Sequence, residues 1–540
     1  MTRELEFALL KRVPRPVGWR LAVVVVVSVV AIAIAAVVVG AVRGEPEGMA
    51  LNGIPDGVVN AEALRGLELV VNASGHDPNA VELKLDGESV TGQVAGDTVV
   101  YRPGELGSGD HTITAEIPAG GLFGFLRTGP GTSRTFTVDA EAPTLELNQP
   151  ERVNSYREPV TLSGKATGAE QVTIDGTPAE LAADGSFTIT LPHAPAGAAV
   201  VAVDAAGNET TQPITTTVEV PRMRAVHVTA HAWSHDGLRE AVLDLARQGR
   251  IDTVQLDIKD EDGVIGYASQ VPVARESGAA SPIYDAPAAL KTLHDMDLRV
   301  VGRIVAFRDP TLAEWAWNSG RRDWVAQNPG GQPYASGYGA IAFTNLANAE
   351  VRRYNIDLAT EAARLGFDEV MYDYVRRPDG PLSQMAFPGL TDTPSVSIAE
   401  FLRESRGLVR AAGAYQSAAV FGIASTRPDQ IAQDIPLMAE HVDYVAPMLY
   451  PSHWNSGEYG VANPNGQPYD IIFRSLVDFQ RQVEGTGAKV IPWLQDFSLG
   501  VNYGDAEVRA QIEAAAAQGI DSFFLWNAAT RYHGGGIDPN

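Results

Sequence analysis

The hydrophobic pattern of the chain changes twice between its N-terminus and its C-terminus. An unbroken apolar run, Leu21–Val42, comes first. Short alternating runs separated by Gly, Asp, Asn and Pro follow as far as Pro221. From there on, apolar runs rich in β-branched residues alternate with amphipathic stretches of helical period. These patterns predict, in order, a membrane-spanning helix, small all-β modules, and repeated strand–helix units.

The apolar run is long enough to cross a bilayer, because about 20 helical residues span a hydrocarbon core of roughly 30 Å. Five basic residues precede it, whereas Arg43 is soon followed by Glu45 and Glu47. The basic flank belongs on the cytoplasmic side, so we expect a cytoplasmic segment at residues 1–20 and a transmembrane signal-anchor at 21–42. A cleaved signal peptide is the alternative, but its apolar region normally has about 7–15 residues. The sequence therefore predicts a single-pass protein of the cell membrane with wall-facing, extracellular C-terminal domains.

Two β modules are expected between the apolar run and Pro221, at residues 50–140 and 143–220. In the first, the alternating run Val81–Leu85 meets Asp86-Gly87, a strong hairpin signal, and in the second Val172–Ile174 meets Asp175-Gly176. Strands at this spacing favour antiparallel sandwiches, and the modules resemble bacterial Ig-like domains. Neither module has a clustered row of Trp or Tyr for stacking on sugars, which favours a spacer over a glycan-binding role.

The part of the chain after Pro221 is predicted to be an α/β domain, a (β/α)8 TIM barrel at residues 222–535. The expected strands are Ala225–Ala230, Thr253–Ile258, Arg299–Phe307, Glu369–Val375, Ser417–Ile423, Tyr444–Leu449, Lys489–Leu494 and Ser522–Trp526. The clearest helices are Asp236–Gln248, Ala286–Asp297, Ala349–Leu365, Ser397–Ala412, Asp470–Val483 and Asp505–Gln518. This pattern fits a barrel better than an open sheet, and no Gly-rich phosphate loop follows the first strand.

Charge and composition exclude several classes of function. A net charge of −25 repels phosphate backbones, so we expect no nucleic-acid partner. The absence of Cys removes disulfides, thiolate metal sites and cysteine nucleophiles. The acidic run Asp260–Gly263 lacks the ligand spacing of a calcium loop and is interpreted as a solvated turn. We expect neither a metal nor a cofactor, and the oligomeric state is not encoded in any recognisable pattern.

Candidate site residues accumulate at the C-terminal ends of the predicted strands, where TIM barrels build their sites. In strand order they are Asp257 and Lys259; Asp373 and Arg376; Tyr450, His453 and Trp454; Trp493, Gln495 and Asp496; and Trp526 and Asn527. The aromatic rings offer flat faces for sugars, and the amides, His453 and Lys259 offer hydrogen bonds to hydroxyls. A glycan is therefore the expected partner.

Cleavage of a glycosidic bond needs one carboxyl group that protonates the leaving oxygen and a second that attacks the anomeric carbon or activates water. Asp373 as nucleophile or base and Asp496 as its acid partner are the leading pair. Structural alternatives remain open for both. Asp373 precedes Arg376 and Arg377, with which it could pair, and Asp496 could cap a helix. Asp257 could contact substrate or support the site, with Lys259 as its ion-pair partner.

Several separate stretches, in the right order, carry a resemblance to a known family. They are Val254–Lys259, Arg303–Pro310, Gly366–Val370 running into Asp373–Arg376, Pro447–Met448 with Tyr450–His453, Pro492–Phe497 and Leu525–Asn527. Over about residues 222–532 the chain resembles the glycoside hydrolase family designated domain of unknown function 4015. This resemblance implies a TIM barrel that hydrolyses O-glycosidic bonds of a cell-envelope or environmental polysaccharide.

The chain departs from that family in two places. The family's fifth strand carries an Asp where this chain has Ala419, and its aromatic residue before the strand-four proline is Arg377 here. If the missing carboxylate was catalytic, the barrel would bind glycans without cutting them, as a lectin-like scaffold of the cell envelope. A metal-dependent deacetylase is a third hypothesis, motivated by His453 and the nearby Asp residues, although no paired His spacing supports it.

Overall fold

The structure, a computed structural model, describes residues 49–73, 75–118, 130–174, 176–194 and 198–539. The predicted transmembrane segment, Leu21–Val42, lies outside these residues. Within the described ranges, no helix has both the length and the apolar character needed to cross a membrane. The chain forms two compact units. One comprises the described residues up to Ala142 together with Asp204–Asn208, and the other comprises the described residues from Pro143 to Val203 and from Glu209 onward.

The first unit is built from two mostly antiparallel sheets, ordered β1-β3-β7-β6 and β2-β9-β8-β4-β5. The strands are β1 (Ala50–Asn52), β2 (Val58–Asn60), β3 (Leu69–Asn72), β4 (Glu82–Leu85), β5 (Glu88–Val90), β6 (Gln93–Ala95), β7 (Thr98–Tyr101), β8 (Gly109–Glu116) and β9 (Gly131–Asp139), with one helix, α1 (Ala61–Arg65). Leu85 pairs with Glu88, so the hairpin predicted at Asp86-Gly87 is confirmed. Both turn residues have positive φ, 53° and 87°, which this tight turn requires.

The β region of the second unit also has short antiparallel sheets, ordered β10-β12-β15 and β14-β13-β16-β17, and a parallel pair β11-β18. Its strands are β10 (Thr144–Asn148), β11 (Arg152–Val153), β12 (Val160–Thr167), β13 (Gln171–Ile174), β14 (Thr177–Ala179), β15 (Ser186–Leu191), β16 (Ala199–Val203), β17 (Glu209–Pro213) and β18 (Thr217–Val218). Ile174 pairs with Thr177, so the chain turns back between them as expected, although Asp175 lies outside the described residues. An Ig-like identity for either β region stays a prediction.

The second unit continues as a closed parallel barrel. Its strands are β19 (Arg224–Val228), β20 (Thr253–Lys259), β21 (Arg299–Val305), β22 (Glu369–Asp373), β23 (Tyr415–Phe421), β24 (Tyr444–Met448), β25 (Lys489–Val490), β26 (Trp493–Gln495) and β27 (Phe523–Trp526). The seventh predicted strand is divided into β25 and β26 around Pro492, which has no N–H for a ladder bond. Pairing of β19 with β27 and of β23 with β24 closes the circle, which confirms the predicted TIM barrel.

Helices surround this barrel. They are α2 (Ala230–Ser234), α3 (Asp236–Arg247), α4 (Pro272–Glu276), α5 (Ala286–His294), α6 (Pro310–Asn318), α7 (Ala349–Leu365), α8 (Pro394–Ala411), α9 (Ile435–Ala439), α10 (Pro468–Val483) and α11 (Asp505–Ala517). The six that the sequence predicted, α3, α5, α7, α8, α10 and α11, are close to their predicted bounds. Helix α7 has the predicted bounds because strong caps define both ends. Asn348 accepts hydrogen bonds from the N–H groups of Glu350 and Val351, and Gly366 ends the helix with a φ of 121°.

The β region of the second unit packs on the N-terminal ends of the barrel strands. Tyr415, the first residue of β23, donates its hydroxyl to the carbonyl oxygens of Asn154 and Glu219. Tyr156 donates to Asp443, just before β24, at 2.8 Å. The β region therefore covers the end of the barrel opposite to the one at which TIM barrels build their sites.

Candidate active site

An open cavity of about 390 Å³ lies at the C-terminal ends of the barrel strands. This is a ligand-sized volume. The cavity is lined by Glu261, Arg303, Tyr338, Asp373, Tyr374, Phe421, Gly422, Ile423, Met448, Tyr450, His453, Trp454, Trp493 and Trp526. Glu261 and Asp373 are the two carboxyl-bearing residues in this lining, and Arg303 is its one arginine.

Arg303, in the middle of β21, joins the two carboxylates. Its Nε and Nη2 atoms donate to Oδ2 of Asp373 at 2.9 and 2.7 Å, and Nη2 also donates to Oε1 of Glu261 at 2.5 Å. Its Nη1 donates to Oδ1 of Asp257 at 3.0 Å. Nη2 of Arg303 thus bonds one oxygen of Glu261 and one oxygen of Asp373. Because both bonds are short, these two oxygens are no further apart than the roughly 5–5.5 Å that separates the carboxyl groups of retaining glycosidases.

Glu261 reaches the cavity from the turn that follows β20. Asp260 holds this turn, because its Oδ1 accepts hydrogen bonds from the N–H groups of Asp262 and Val264, both at 3.0 Å. Gly263 has a φ of 80°, and a Cβ there would lie 2.1 Å from Oδ1 of Asp309, so only glycine fits. The sequence interpretation of this acidic run as a solvated turn missed Glu261. The available signal was its position directly after a strand end, where barrel loops carry function.

Asp373 ends β22, and the backbone turns sharply after it. Tyr374 has a φ of 46°, which is rare for an aromatic residue and is typical of strained positions in functional sites. The N–H of Tyr374 donates to Oδ1 of Asp373 at 2.6 Å. The Tyr374 ring lines the cavity, and its hydroxyl accepts a hydrogen bond from Arg308 at 3.1 Å. The strained turn therefore presents both side chains to the same space.

Aromatic rings form much of the cavity wall. Tyr450 and Trp526 are stacked, with ring centroids 5.6 Å apart and an interplanar angle of 28°. Trp454 packs on Gly422, where a Cβ would lie 2.8 Å from its ring. Trp493 is buried, and its indole Nε1 has no hydrogen-bond partner among the described residues. A wall of this kind suits the apolar faces of sugar rings.

Six of the twelve predicted site residues line this cavity: Asp373, Tyr450, His453, Trp454, Trp493 and Trp526. The other six, Asp257, Lys259, Arg376, Gln495, Asp496 and Asn527, are not part of its lining. The structural alternative in which Asp373 pairs with Arg376 or Arg377 is replaced by its pairing with Arg303.

The predicted pair of Asp373 and Asp496 is not brought together in the cavity. Asp496 has a fully buried side chain and accepts hydrogen bonds from His533, through its backbone N–H at 2.8 Å and through Nδ1 at 2.5 Å. Asn527 donates to the carbonyl oxygen of Asp496, and Gln495 donates to the carbonyl oxygen of Phe497. In this structure these side chains hold the loops after β26 and β27 instead of facing a ligand.

Lys259 and Arg376 also point away from the cavity. A β-bulge between Asp257 and Lys259 shifts the register with β21, so Lys259 does not share the inward face of Asp257. Lys259 is fully buried and donates instead to Asp309 at 2.6 Å and to Asn355 of α7 at 2.9 Å. The Arg376 guanidinium lies 4.4 Å from the ring centroid of Phe421 behind the cavity wall.

Arg303 acts on the two cavity carboxyl groups to different extents. Burial raises the pKa of Asp373 above its ordinary value, together with the charge of Glu261, although Arg303 opposes this shift. Burial also acts to raise the pKa of Glu261, but the charge and hydrogen bond of Arg303 outweigh it, so that this pKa is lowered. The side chain of Glu261 is 35% exposed and that of Asp373 is 2% exposed, which accounts for the difference. Carboxyl pairs whose environments separate their pKa values divide acid and base roles.

Residues 225–532 match the family designated domain of unknown function 4015, described as "Putative glycosyl hydrolase domain". The match spans more than half of the chain, and the protein belongs to this family. No match is found among curated proteins. Among the described residues, no group of three or more His, Cys, Asp or Glu side chains is arranged to hold a metal ion.

The chain is also similar to solved structures. A hypothetical protein from Ruminiclostridium thermocellum ATCC 27405 is 31% identical over 36% of this chain and 96% of its own, with a TM-score of 0.32. The glycoside hydrolase domain of PgaB (BpsB) from Bordetella bronchiseptica is 14% identical over 57% of this chain and 95% of its own, with a TM-score of 0.43. An endo-1,4-beta-D-mannanase from Thermotoga petrophila RKU-1 is 13% identical over 57% and 88%, with a TM-score of 0.38.

Proposed function

We propose that this protein is a membrane-anchored, extracytoplasmic glycoside hydrolase whose catalytic carboxyl groups are Glu261 and Asp373. One observation carries the proposal. Two carboxylates, from the ends of β20 and β22, converge on the guanidinium of Arg303 at the base of an aromatic-walled cavity. Glu261 replaces Asp496 as the second carboxyl group of the pair. The predicted roles change with it, because Asp373 becomes the acid and Glu261 the nucleophile.

The two carboxyl groups have different roles in this mechanism. Asp373, whose pKa burial raises above its ordinary value, is assigned the acid role and donates a proton to the leaving glycosidic oxygen. Glu261, with its lowered pKa, stays ionised and attacks the anomeric carbon. Asp373 then acts as base toward the water that hydrolyses the glycosyl-enzyme. The short distance between the two groups favours this double displacement, with retention, over inversion, which needs room for a water molecule.

The cavity wall supports binding of the reacting sugar. Tyr450, Trp526 and Trp454 present ring surfaces that stack on apolar sugar faces. Burial lowers the pKa of His453, so its imidazole is neutral near pH 7 and offers a further hydrogen bond without a charge. The substrate class that fits is a polysaccharide of the cell envelope or of the environment.

The location outside the membrane rests on the sequence. The apolar run Leu21–Val42 and the basic residues before it support a single-pass anchor with the barrel on the outer side. Fractionation of cells that express the full chain tests this part. Recovery in the membrane fraction, with the barrel accessible to added protease in intact cells, is the expected result. A barrel that stays protected until the cells are lysed would contradict it.

The catalytic assignment is tested with Glu261→Gln and Asp373→Asn on a panel of polysaccharides and dinitrophenyl glycosides. Both variants should lose at least about 100-fold in kcat while their melting temperatures remain near that of the wild type. Glu261→Gly with azide should recover turnover and yield a glycosyl azide, because azide replaces a missing nucleophile. Asp496→Asn is the matched comparison, and it should keep its turnover wherever it folds.

Two outcomes would reject this assignment. Full turnover in Asp373→Asn would exclude it as an acid. Tight binding of a glycan by the wild type, without any product, would instead support a lectin-like scaffold, the hypothesis raised by Ala419. In the structure Ala419 packs inside the barrel with Met371 and Tyr444 below the cavity, so the fifth strand faces the cavity with Phe421.

A further inference from the structure

Asp257 is a third carboxylate on Arg303, and the proposed reaction does not use it. It is 1% exposed and is not part of the cavity lining. Its Oδ1 accepts two hydrogen bonds, one from Nη1 of Arg303 and one from Nε2 of His227, both at 3.0 Å. Asp257 therefore contacts the guanidinium through a nitrogen, Nη1, that bonds neither Glu261 nor Asp373.

The backbone of β20 is built to place Asp257 in this position. The β-bulge between Asp257 and Lys259 directs the aspartate into the barrel and the lysine toward α7. Tyr284 fixes the same segment, because its hydroxyl donates to the carbonyl oxygen of Asp257 at 3.1 Å. Bulges next to sites commonly re-aim a side chain, and this one separates a carboxylate from the nearest lysine in sequence.

Arg303 has no freedom within this arrangement. Each of its three nitrogens donates to a carboxylate, to Asp257, Asp373 or Glu261. Its guanidinium also lies 5.9 Å from the ring centroid of Trp493, and the residue is 1% exposed. One positive charge is thus shared by three carboxylates, of which Asp257 and Asp373 are buried and Glu261 is partly exposed.

The charges in this cluster do not balance when every carboxyl group is ionised. His227 lies beside Asp257, and the charge of Asp257 also acts on Asp260, whose pKa burial raises to about 6. The titratable hydroxyls of Tyr532 and Tyr450 lie near Asp257 and Asp373 respectively. Tyrosines are neutral at pH 7, so Arg303 is the permanent cation among these groups. A buried cluster with excess negative charge binds a proton at its least stabilised carboxyl group.

We propose that Asp257 is a positioning residue that acts through Arg303. It holds the guanidinium and takes up part of its charge, so that the pair of Glu261 and Asp373 retains one shared proton. The inference rests on the proposed function, which makes that pair the reacting groups. Without the charge of Asp257, the positive charge of Arg303 would act on Glu261 and Asp373 alone. It would lower their pKa values, so that both carboxyl groups would be ionised.

The test measures protonation of the pair directly and needs no substrate. The full chain is treated with a carbodiimide and glycine methyl ester between pH 4 and 8, and labelling of Glu261 and Asp373 is measured by peptide mass mapping. Carbodiimides activate the protonated carboxyl group, so the pH midpoint of labelling reports how firmly the pair holds its proton. Asp257→Asn should move the upper midpoint of the pair to lower pH by at least about half a unit, because a neighbouring like charge is removed.

Two further variants make the outcome decisive. Glu369→Gln replaces a buried carboxyl group that bonds Ser417 and Tyr444 at the other end of the barrel, and it should leave the midpoint unchanged. Asp257→Glu keeps the charge and should stay closer to the wild type than Asp257→Asn. If Asp257→Asn does not fold, Asp257→Glu is compared with Asp257→Gln, and the latter should show the lower midpoint.

An unchanged or raised midpoint in a folded neutral variant at position 257 would overturn the proposal. The labelling result does not depend on whether the proposed function is correct. A chain without glycosidase activity can still show the labelling shift, and an active chain can lack it. When a hydrolysed substrate is available, the acidic limb of the kcat/KM profile should move in the same direction as the labelling midpoint.

Discussion

Glu261 and Asp373 accept hydrogen bonds from the same nitrogen atom, Nη2 of Arg303, at 2.5 and 2.7 Å. Glu261 is on the turn after β20 and Asp373 is at the end of β22. These two strands flank β21, the strand that carries Arg303. The arginine is therefore the element that brings two carboxylates from separate parts of the chain to one point. This geometry requires the planar guanidinium of an arginine, whose N–H donors point in fixed directions. The ammonium group of a lysine acts as a point charge and cannot bond three carboxylates in fixed directions.

Arg303→Lys should reduce kcat by about 100-fold or more, because the ammonium group cannot keep both carboxylates in place and small displacements at a site are costly. The measurement is steady-state kinetics on the substrate identified with the wild type. Arg299→Lys is the matched control, since Arg299 is on the same strand and pairs with Glu369 at 3.6 Å. Equal losses in both variants would show a general effect on β21 instead of a role in the site.

Asp260→Asn should remove a pH-dependent part of the stability. Burial raises the pKa of Asp260 to about 6 in the folded chain, against an ordinary value of 3.8. A carboxyl group whose pKa is raised by folding favours the folded state below about pH 4, and this contribution is lost as the pH rises through about 6. The melting temperature of the wild type, relative to that of Asp260→Asn, should therefore fall between pH 4 and 7.

The control for this experiment is Asp392→Asn. Asp392 is exposed and, like Asp260, accepts a hydrogen bond from a nearby backbone N–H, that of Thr393 at 2.7 Å, so it tests the same substitution without the burial. Its melting temperature should run parallel to that of the wild type over the same pH range. A parallel course for Asp260→Asn as well would exclude Asp260 as the source of the pH dependence.

Gly422→Ala should weaken substrate binding more than it slows the chemistry. The added Cβ would lie 2.8 Å from the ring of Trp454 and 2.9 Å from the carbonyl oxygen of Met448, so the tryptophan must shift. We expect KM to rise by roughly 2- to 10-fold, since a lost stacking contact is worth about 0.5–1.5 kcal/mol. Gly407→Ala is the control. It adds a Cβ in open space on α8 and should stabilise the fold by about 0.5–1 kcal/mol. An unchanged KM in Gly422→Ala would remove Trp454 from the binding surface.

Much of the fold was predictable because local patterns define it. The apolar runs that became β19, β20 and β24 were found within two residues of their ends, and α7 was found with its bounds. Burial on both faces of a parallel strand and the helical period leave direct traces in a sequence. The division of the seventh strand into β25 and β26 was missed, although Pro492 is a visible signal for it.

The site was predictable only in part. Asp373, Trp493 and Trp526 were found from their places at strand ends, and they line the cavity. Lys259 was assigned to the site by proximity to Asp257, and the β-bulge after Asp257 invalidates that step. Glu261 was missed because an acidic turn is usually solvated. Its position directly after the end of β20 was the available signal, but the contact with the buried Arg303 is visible only in the structure.

The sequence by itself determined the strand–helix order of the barrel and which residues stand at its C-terminal rim, because both follow from periodicities within a few turns of chain. Only the tertiary structure decided that Arg303 joins Glu261 to Asp373 and that Asp496 turns to His533. Those partners are 42, 70 and 37 residues apart in the chain. Which of them meet depends on strand register and on a single bulge, and neither is a property of any local segment.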